Sequence, residues 1–301
     1  MTYRVMSAVL VLIFLTSSFP KALGHTIVLG VLEDHGGHYA GDPNFWAVRA
    51  VFEKEGDEWE PFTNDCRDRT CLKNSTSSYP GEVTWTITFD GKNLGQVTSR
   101  TPKDFMRYSG VGQQEITSKE PVPTVGDRSS KFGGFTDASV YRPLVANSQP
   151  YFKDPESWKP SQLSNDVTRI LRKHFREKFP TVSNCTNPDE NVAKPWPYLD
   201  EDIKIVKAYS SKTAWSVARV QLEEYRCDGP SDDAFVDQWF VISPRLEVTF
   251  LDAGMWLVDA GDYDNDGRSE LVFSIDRYNR GGYELFYGDF EKRVTFVFHY
   301  H

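Results

Sequence analysis

Val83-Thr84-Trp85-Thr86-Ile87-Thr88-Phe89 alternates large apolar side chains with threonine, and Asp90-Gly91 follows at once. Alternation with period two is the mark of a strand that lays one face on a core. Threonine, branched at Cβ, suits the positions between. Asp-Gly supplies the two positive-φ residues of a tight hairpin turn, so the chain returns along residues 94–99. The same alternation recurs outward in both directions. Residues 26–33, 47–53 and 59–62 read as strands before it, with a Gly56-Asp57 turn among them. Residues 203–209, 215–222, 238–242, 246–251, 255–258, 271–275, 283–287 and 294–300 read as strands after it, and in the last Val294, Phe296, Phe298 and Tyr300 share a face. The expected fold is mainly β, built of antiparallel sheets.

One segment breaks the period. Over residues 161–178, Leu163, Val167, Ile170, Leu171 and Phe175 recur at helical spacing, and Pro180 stops the run. This predicts a single surface α-helix whose other face carries Arg169, Arg172, Lys173, Arg176 and Lys178. Cations near a helix C-terminus favour a solvated outer face over an anion site. Residues 101–160 and 181–197 are rich in Gly, Pro and Ser, weak in periodicity, and read as long loops. A boundary near residue 155 would give two β-rich lobes. One domain over residues 25–301 is the preferred reading, because the apolar first and last strands both need partners and can pair with each other.

The chemistry concentrates in Gly261-Asp262-Tyr263-Asp264-Asn265-Asp266-Gly267-Arg268-Ser269-Glu270-Leu271. Counting from Asp262, carboxylates fall at positions 1, 3 and 5 and glycine at 6, where a sharp turn is needed. The carboxylates converge on a hard cation, and the carbonyl of Arg268 at position 7 adds an oxygen. Left bare, four carboxylates this close repel one another, so a counter-cation is the natural solution. An EF-hand is excluded, since its twelfth position is Phe273 and a strand follows in place of a helix. Magnesium suits the loop less well than calcium, because its octahedral demand accepts fewer protein ligands.

Residues 258–275 resemble the FG-GAP/VCBS repeats of integrin-like β-propellers, whose calcium loop runs Asp-x-Asp-x-Asp-Gly-x-x-Asp-Leu. The resemblance implies Asp262, Asp264, Asp266, the Arg268 carbonyl and Glu270 as ligands of Ca2+, with Glu270 in place of the usual Asp. It also implies propeller-like sheets, against the alternatives of two lobes or a sandwich. The chain carries one such loop, whereas propeller repeats come in series.

The chain begins with Arg4, an apolar run from Val5 to Phe19, and small residues at Ala22 and Gly24, the pattern of a signal peptide over residues 1–24. The run is too short to span a bilayer, and no later stretch is apolar enough, so no membrane span is expected in the mature chain. Without a cysteine at the cleavage point, the expected location is secreted or periplasmic. Cys66, Cys71, Cys185 and Cys227 suit an oxidising compartment and read as two disulfides. Three pairings exist; the short Cys66–Cys71 spacing suits a local loop, which leaves Cys185 with Cys227.

Composition sets the partners. The 301 residues carry 34 Lys+Arg against 43 Asp+Glu, a net charge of −9 that becomes −11 when Arg4 and Lys21 leave with the leader. Such an anion attracts neither nucleic acid nor an anionic membrane surface. Nucleophile elbows, phosphate loops and zinc-protease motifs are absent. Most of the eight tryptophans sit in strand patterns; Trp158 and Trp196, among prolines in loops, are the candidates for ligand stacking. The expected function is a calcium-stabilised binding or scaffold protein with an extracellular protein or glycan partner. The alternative is a secreted polysaccharide hydrolase with structural calcium, in which a carboxylate pair would face an aromatic groove.

Overall fold

The computed structural model describes residues 27–35, 45–62, 81–102, 112–125, 143–185, 193–223, 225, 227, 235, 237–277 and 279–299. The first sheet collects β1 (Ile27–His35), β2 (Phe45–Glu55), β3 (Glu58–Pro61), β4 (Val83–Phe89), β5 (Lys92–Ser99), β6 (Gln114–Glu115) and β7 (Leu144–Asn147). Its order is β3-β2-β1-β7-β4-β5, with β6 on β2, and every pairing is antiparallel. The β4–β5 hairpin turns where expected, with Asp90 at φ 48° and Gly91 at φ 69°. The threonine face is only partly solvated: Thr84 is exposed, but Thr86 and Thr88 are as buried as Trp85 and Ile87, because another sheet lies over them.

β8 (Lys159–Pro160) leads into α1 (Asn165–Lys178), then β9 (Val182–Cys185) and β10 (Ala193–Trp196), which form a two-stranded ribbon. The helix starts four residues later than its periodicity suggested. Pro160 belongs to β8, and Ser164 is the N-cap, accepting the Val167 N–H at 3.3 Å. β11 (Ile203–Ser210), β12 (Ser216–Leu222), β13 (Gln238–Ile242) and β14 (Val248–Ala253) complete a second sheet ordered β14-β13-β12-β11-β8. Leu171 and Phe175 of α1 bury against Ala218, Val220, Phe240 and Ile242 of that sheet. The basic helix face is occupied locally: Arg169 pairs with Asp166, Lys173 with Glu177, and Arg176 with Asp200.

β15 (Met255–Gly261), β16 (Glu270–Arg277), β17 (Arg280–Tyr287) and β18 (Lys292–His299) form the third sheet, an antiparallel meander. It is the middle layer. One face packs Val258, Val272, Leu285, Phe296 and Phe298 on Leu29, Val31, Phe52 and Val145 of the first sheet. The other packs Leu257, Leu271, Phe273 and Phe286 on Val217, Trp239 and Val241 of the second. Burial on both faces explains the unbroken apolar runs Leu271-Val272-Phe273 of β16 and Leu285-Phe286-Tyr287 of β17, where a half-buried strand alternates. The protein is therefore mainly β, with three antiparallel sheets in a sandwich-like stack, no closed barrel, and one α-helix among the described residues. The outer faces of the stack are covered by the 112–125 segment on one side and α1 on the other.

The first and last strands meet, but not as a ladder. β1 pairs with β2 and β7, while β18 pairs with β17, and the two ends touch face to face across the core. A buried clamp reinforces that contact. Arg49 of β2, 4% exposed, forks onto Glu33 at 2.8–3.1 Å, and the Tyr283 hydroxyl donates to the same carboxylate at 2.6 Å. The guanidinium lies 4.4 Å from the centroid of Phe298. Cys185 and Cys227 form a disulfide, as the spacing of the four cysteines left them to do; Cys66 and Cys71, and the leader at residues 1–24, lie outside the described residues. Among the described residues, no helix is long and apolar enough to cross a membrane.

Candidate metal centre

The acidic loop joins β15 to β16, closing where Gly261 pairs with Glu270. Its fold is written by its own carboxylates. Asp262 accepts the N–H groups of Asp266 (Oδ1, 3.0 Å) and Gly267 (Oδ2, 3.0 Å). Asp264 Oδ1 also accepts from Asp266 at 3.0 Å, and Asp266 Oδ1 accepts from Arg268 at 2.8 Å. Asn265 and Gly267 take positive φ, 61° and 92°, to let the chain double back. Glu270 Oε2 accepts the Tyr263 N–H at 2.8 Å, so the last acid is drawn under the loop.

Tyr263 nails this loop to the core. It is fully buried, stacks on Phe152 at 5.6 Å, and its carbonyl accepts from Asn147 Nδ2 of β7 at 2.6 Å. Gly261 is required beside it: a Cβ there would lie 2.5 Å from Phe152 Cζ. Two further carboxylates brace the surroundings. Asp259 accepts from Thr88 Oγ1 (3.2 Å) and Asp90 N–H (2.9 Å) of the first sheet. Asp154 accepts from Ser269 Oγ (3.2 Å) and from the Trp158 N–H (3.2 Å), joining the loop to the entrance of the second sheet.

Carboxylate oxygens of Asp262, Asp264 and Glu270 all lie within 4.8 Å of one another, a cluster that can hold a metal ion. Asp266, the third aspartate of the motif, stands outside this triad, with its side chain turned to Arg268 at 3.2 Å. The Arg268 guanidinium also approaches Asp289 at 3.8 Å. Lys54, reaching over from β2, pairs with Asp264. The four loop acids thus have two cationic partners. Asp262 and Glu270 have none among the described residues, and they are 4% and 2% exposed. Burial pushes the Asp262 carboxyl up to about 6, with Asp264 and Asp266 adding repulsion. Burial, then Asp264, pushes Glu270 well above the usual carboxylate range.

Beside the cluster opens a cleft of about 820 Å³, bordered by Asp264, Glu270, Lys54, Tyr287 and the β2–β3 and β17–β18 turns. It is polar and holds one aromatic side chain, Tyr287. The stacking candidates lie elsewhere. Trp158 is 4% exposed and packs edge-on against Phe290, and Trp196 is half-buried against Tyr198. Trp158 belongs to a core, and Trp196 packs against the edge of another.

Sequence reasoning found the loop acids, because they fall within nine residues of chain. It did not find Lys54, Asn147 or Asp154, which reach the loop from 210, 116 and 115 residues away and sit in no motif. No protein-family model, curated protein or solved structure matches the chain.

Proposed function

We propose that this is an exported calcium-binding protein of binding or scaffold type, in which the ion ties the acidic loop into the stack of sheets. The observation that carries the reading is the pair of buried carboxylates, Asp262 and Glu270, with no cationic partner among the described residues. Lys54 and Arg268 offset two of the loop's four negative charges. A divalent cation offsets the other two. The donors are all oxygen, with no imidazole or thiolate in the cluster, which favours a hard ion over zinc. Calcium accepts several carboxylates in irregular geometry, as the FG-GAP-like spacing of the loop also suggests, whereas magnesium retains water and an octahedron. Extracellular modules of this kind bind calcium at roughly 10⁻⁴ to 10⁻³ M, and export agrees with the leader-like N-terminus and the Cys185–Cys227 disulfide.

The partner is an extracellular protein or glycan. The hydrolase alternative gains no support, since of its two candidate stacking rings Trp158 lies in a core and Trp196 packs against the edge of another, both away from the cleft beside the acidic cluster. The test is thermal unfolding with chelator and with calcium: calcium raises the melting temperature of the wild type, and Asp262→Ala abolishes the response. A melting curve indifferent to both additions, with no metal in the purified protein, contradicts the proposal.

A further inference from the structure

Lys54 stands at the end of β2, opposite Ile27 on one side and Trp59 on the other. Its side chain leaves the first sheet and places the ammonium on Asp264 Oδ2 of the third, the only cation the described residues bring to that carboxylate. The contact is sheltered, with the lysine 13% exposed and Asp264 2%. The ammonium also lies 5.5 Å from the centroid of Trp59, a ring that keeps its charge favourable in a confined place. The other oxygen of Asp264 already accepts the Asp266 N–H. Both oxygens of a carboxylate in the metal-binding triad are therefore engaged, one of them by a positive charge. A divalent ion held by Asp262, Asp264 and Glu270 would stand next to that ammonium, and like charges at such range repel strongly in a sheltered site.

We propose that Lys54 is the site's internal counter-cation, holding Asp264 in the metal-free protein and giving it up to the ion, so that it sets the affinity of the site. This rests on the cation reading above and adds a residue that the loop motif does not contain. The exchange has a structural consequence. The Lys54–Asp264 pair is a tie between the first and third sheets, and Lys54 borders the cleft beside Glu55, Gly56 and Asp57. Binding of the ion frees Lys54 into that cleft, so occupancy is read at the β2–β3 edge, remote in sequence from the loop.

The experiment compares the full chain with Lys54→Met, which keeps the stem on Trp59, and Lys54→Arg, which keeps the charge. Calcium is titrated calorimetrically into each after stripping with chelator. Lys54→Met binds calcium about ten-fold tighter, as expected when one adjacent positive charge is removed, while Lys54→Arg stays near the wild type. In the wild type, acylation of Lys54 followed by mass spectrometry rises on adding calcium. In chelator, Lys54→Met melts a few degrees lower, because the loop acids have lost a partner. An unchanged or weakened calcium affinity in Lys54→Met, beside a wild type that binds, overturns the exchange and leaves the calcium reading standing. A wild type that binds no calcium overturns both, and the lower melting of Lys54→Met in chelator then records an ordinary ion pair.

Discussion

Replacing Glu270 by glutamine gives opposite results in chelator and in calcium. The amide can still accept the Tyr263 N–H that Glu270 Oε2 accepts at 2.8 Å, so the loop keeps its shape while a buried negative charge is lost. In the metal-free protein that charge is unfavourable: the residue is 2% exposed and faces the carboxylates of Asp262 and Asp264. Burial and the nearby Asp264 carboxylate disfavour the Glu270 charge, so removing it stabilises the chelated protein. For a chain of this size each kcal/mol gained raises the melting temperature by about 1.5–2 °C. Calcium has the reverse effect on the comparison. At about a hundred times its dissociation constant it stabilises the wild type by about 2.7 kcal/mol, whereas the variant, short of one charged ligand, gains little. The ranking of the two proteins thus inverts between the conditions, which differential scanning calorimetry reads directly. A variant that melts below the wild type in chelator, or that gains as much from calcium, refutes the reasoning.

Other outcomes follow from the same structure. Asp262 and Glu270 have folded-state pKa values raised by burial, so their contribution to metal-free stability is present below about pH 4 and is lost as pH rises through about 6 and beyond. Calcium keeps both ionised, so its stabilising increment is larger at pH 7.5 than at pH 5; equal increments in thermal melts at the two pH values contradict this. Arg49→Met strands Glu33 in the buried clamp and costs about 3 kcal/mol in chemical denaturation, with or without calcium. Gly282→Ala brings a Cβ to 2.0 Å from the Phe296 carbonyl oxygen across β17 and β18, and costs more than about 2 kcal/mol or prevents folding, as read by circular dichroism and expression yield. Replacing Cys185 and Cys227 together by serine releases a cross-link between residues 42 apart and lowers stability by about 3–4 kcal/mol, measured by urea unfolding.

Local patterns were readable in the chain and distant meetings were not. The β4–β5 hairpin carries alternation and an Asp-Gly turn in one short stretch, and it forms in that register. β7 sits between β1 and β4 at the centre of the first sheet, yet Leu144-Val145-Ala146-Asn147 is buried on both faces and has no period to detect. The region around it reads as loop because its glycines and prolines outweigh four residues. The helix lost its first turn to Pro160 and Ser164, whose extended and capping roles override the apolar spacing. The first and last strands had the apolar character of partners, but character does not distinguish a ladder from a face-to-face contact. The same limit holds at the acidic cluster. Its acids are sequence neighbours, while the ammonium that balances Asp264 comes from a strand 210 residues away.

The central claim concerns an ion at one place, and anomalous diffraction from crystals grown in calcium tests it most directly. The account predicts a single calcium peak enclosed by Asp262, Asp264 and Glu270, with oxygen distances of about 2.3–2.6 Å. An empty map at the loop in calcium-saturated crystals, or a peak bound elsewhere on the chain, contradicts it.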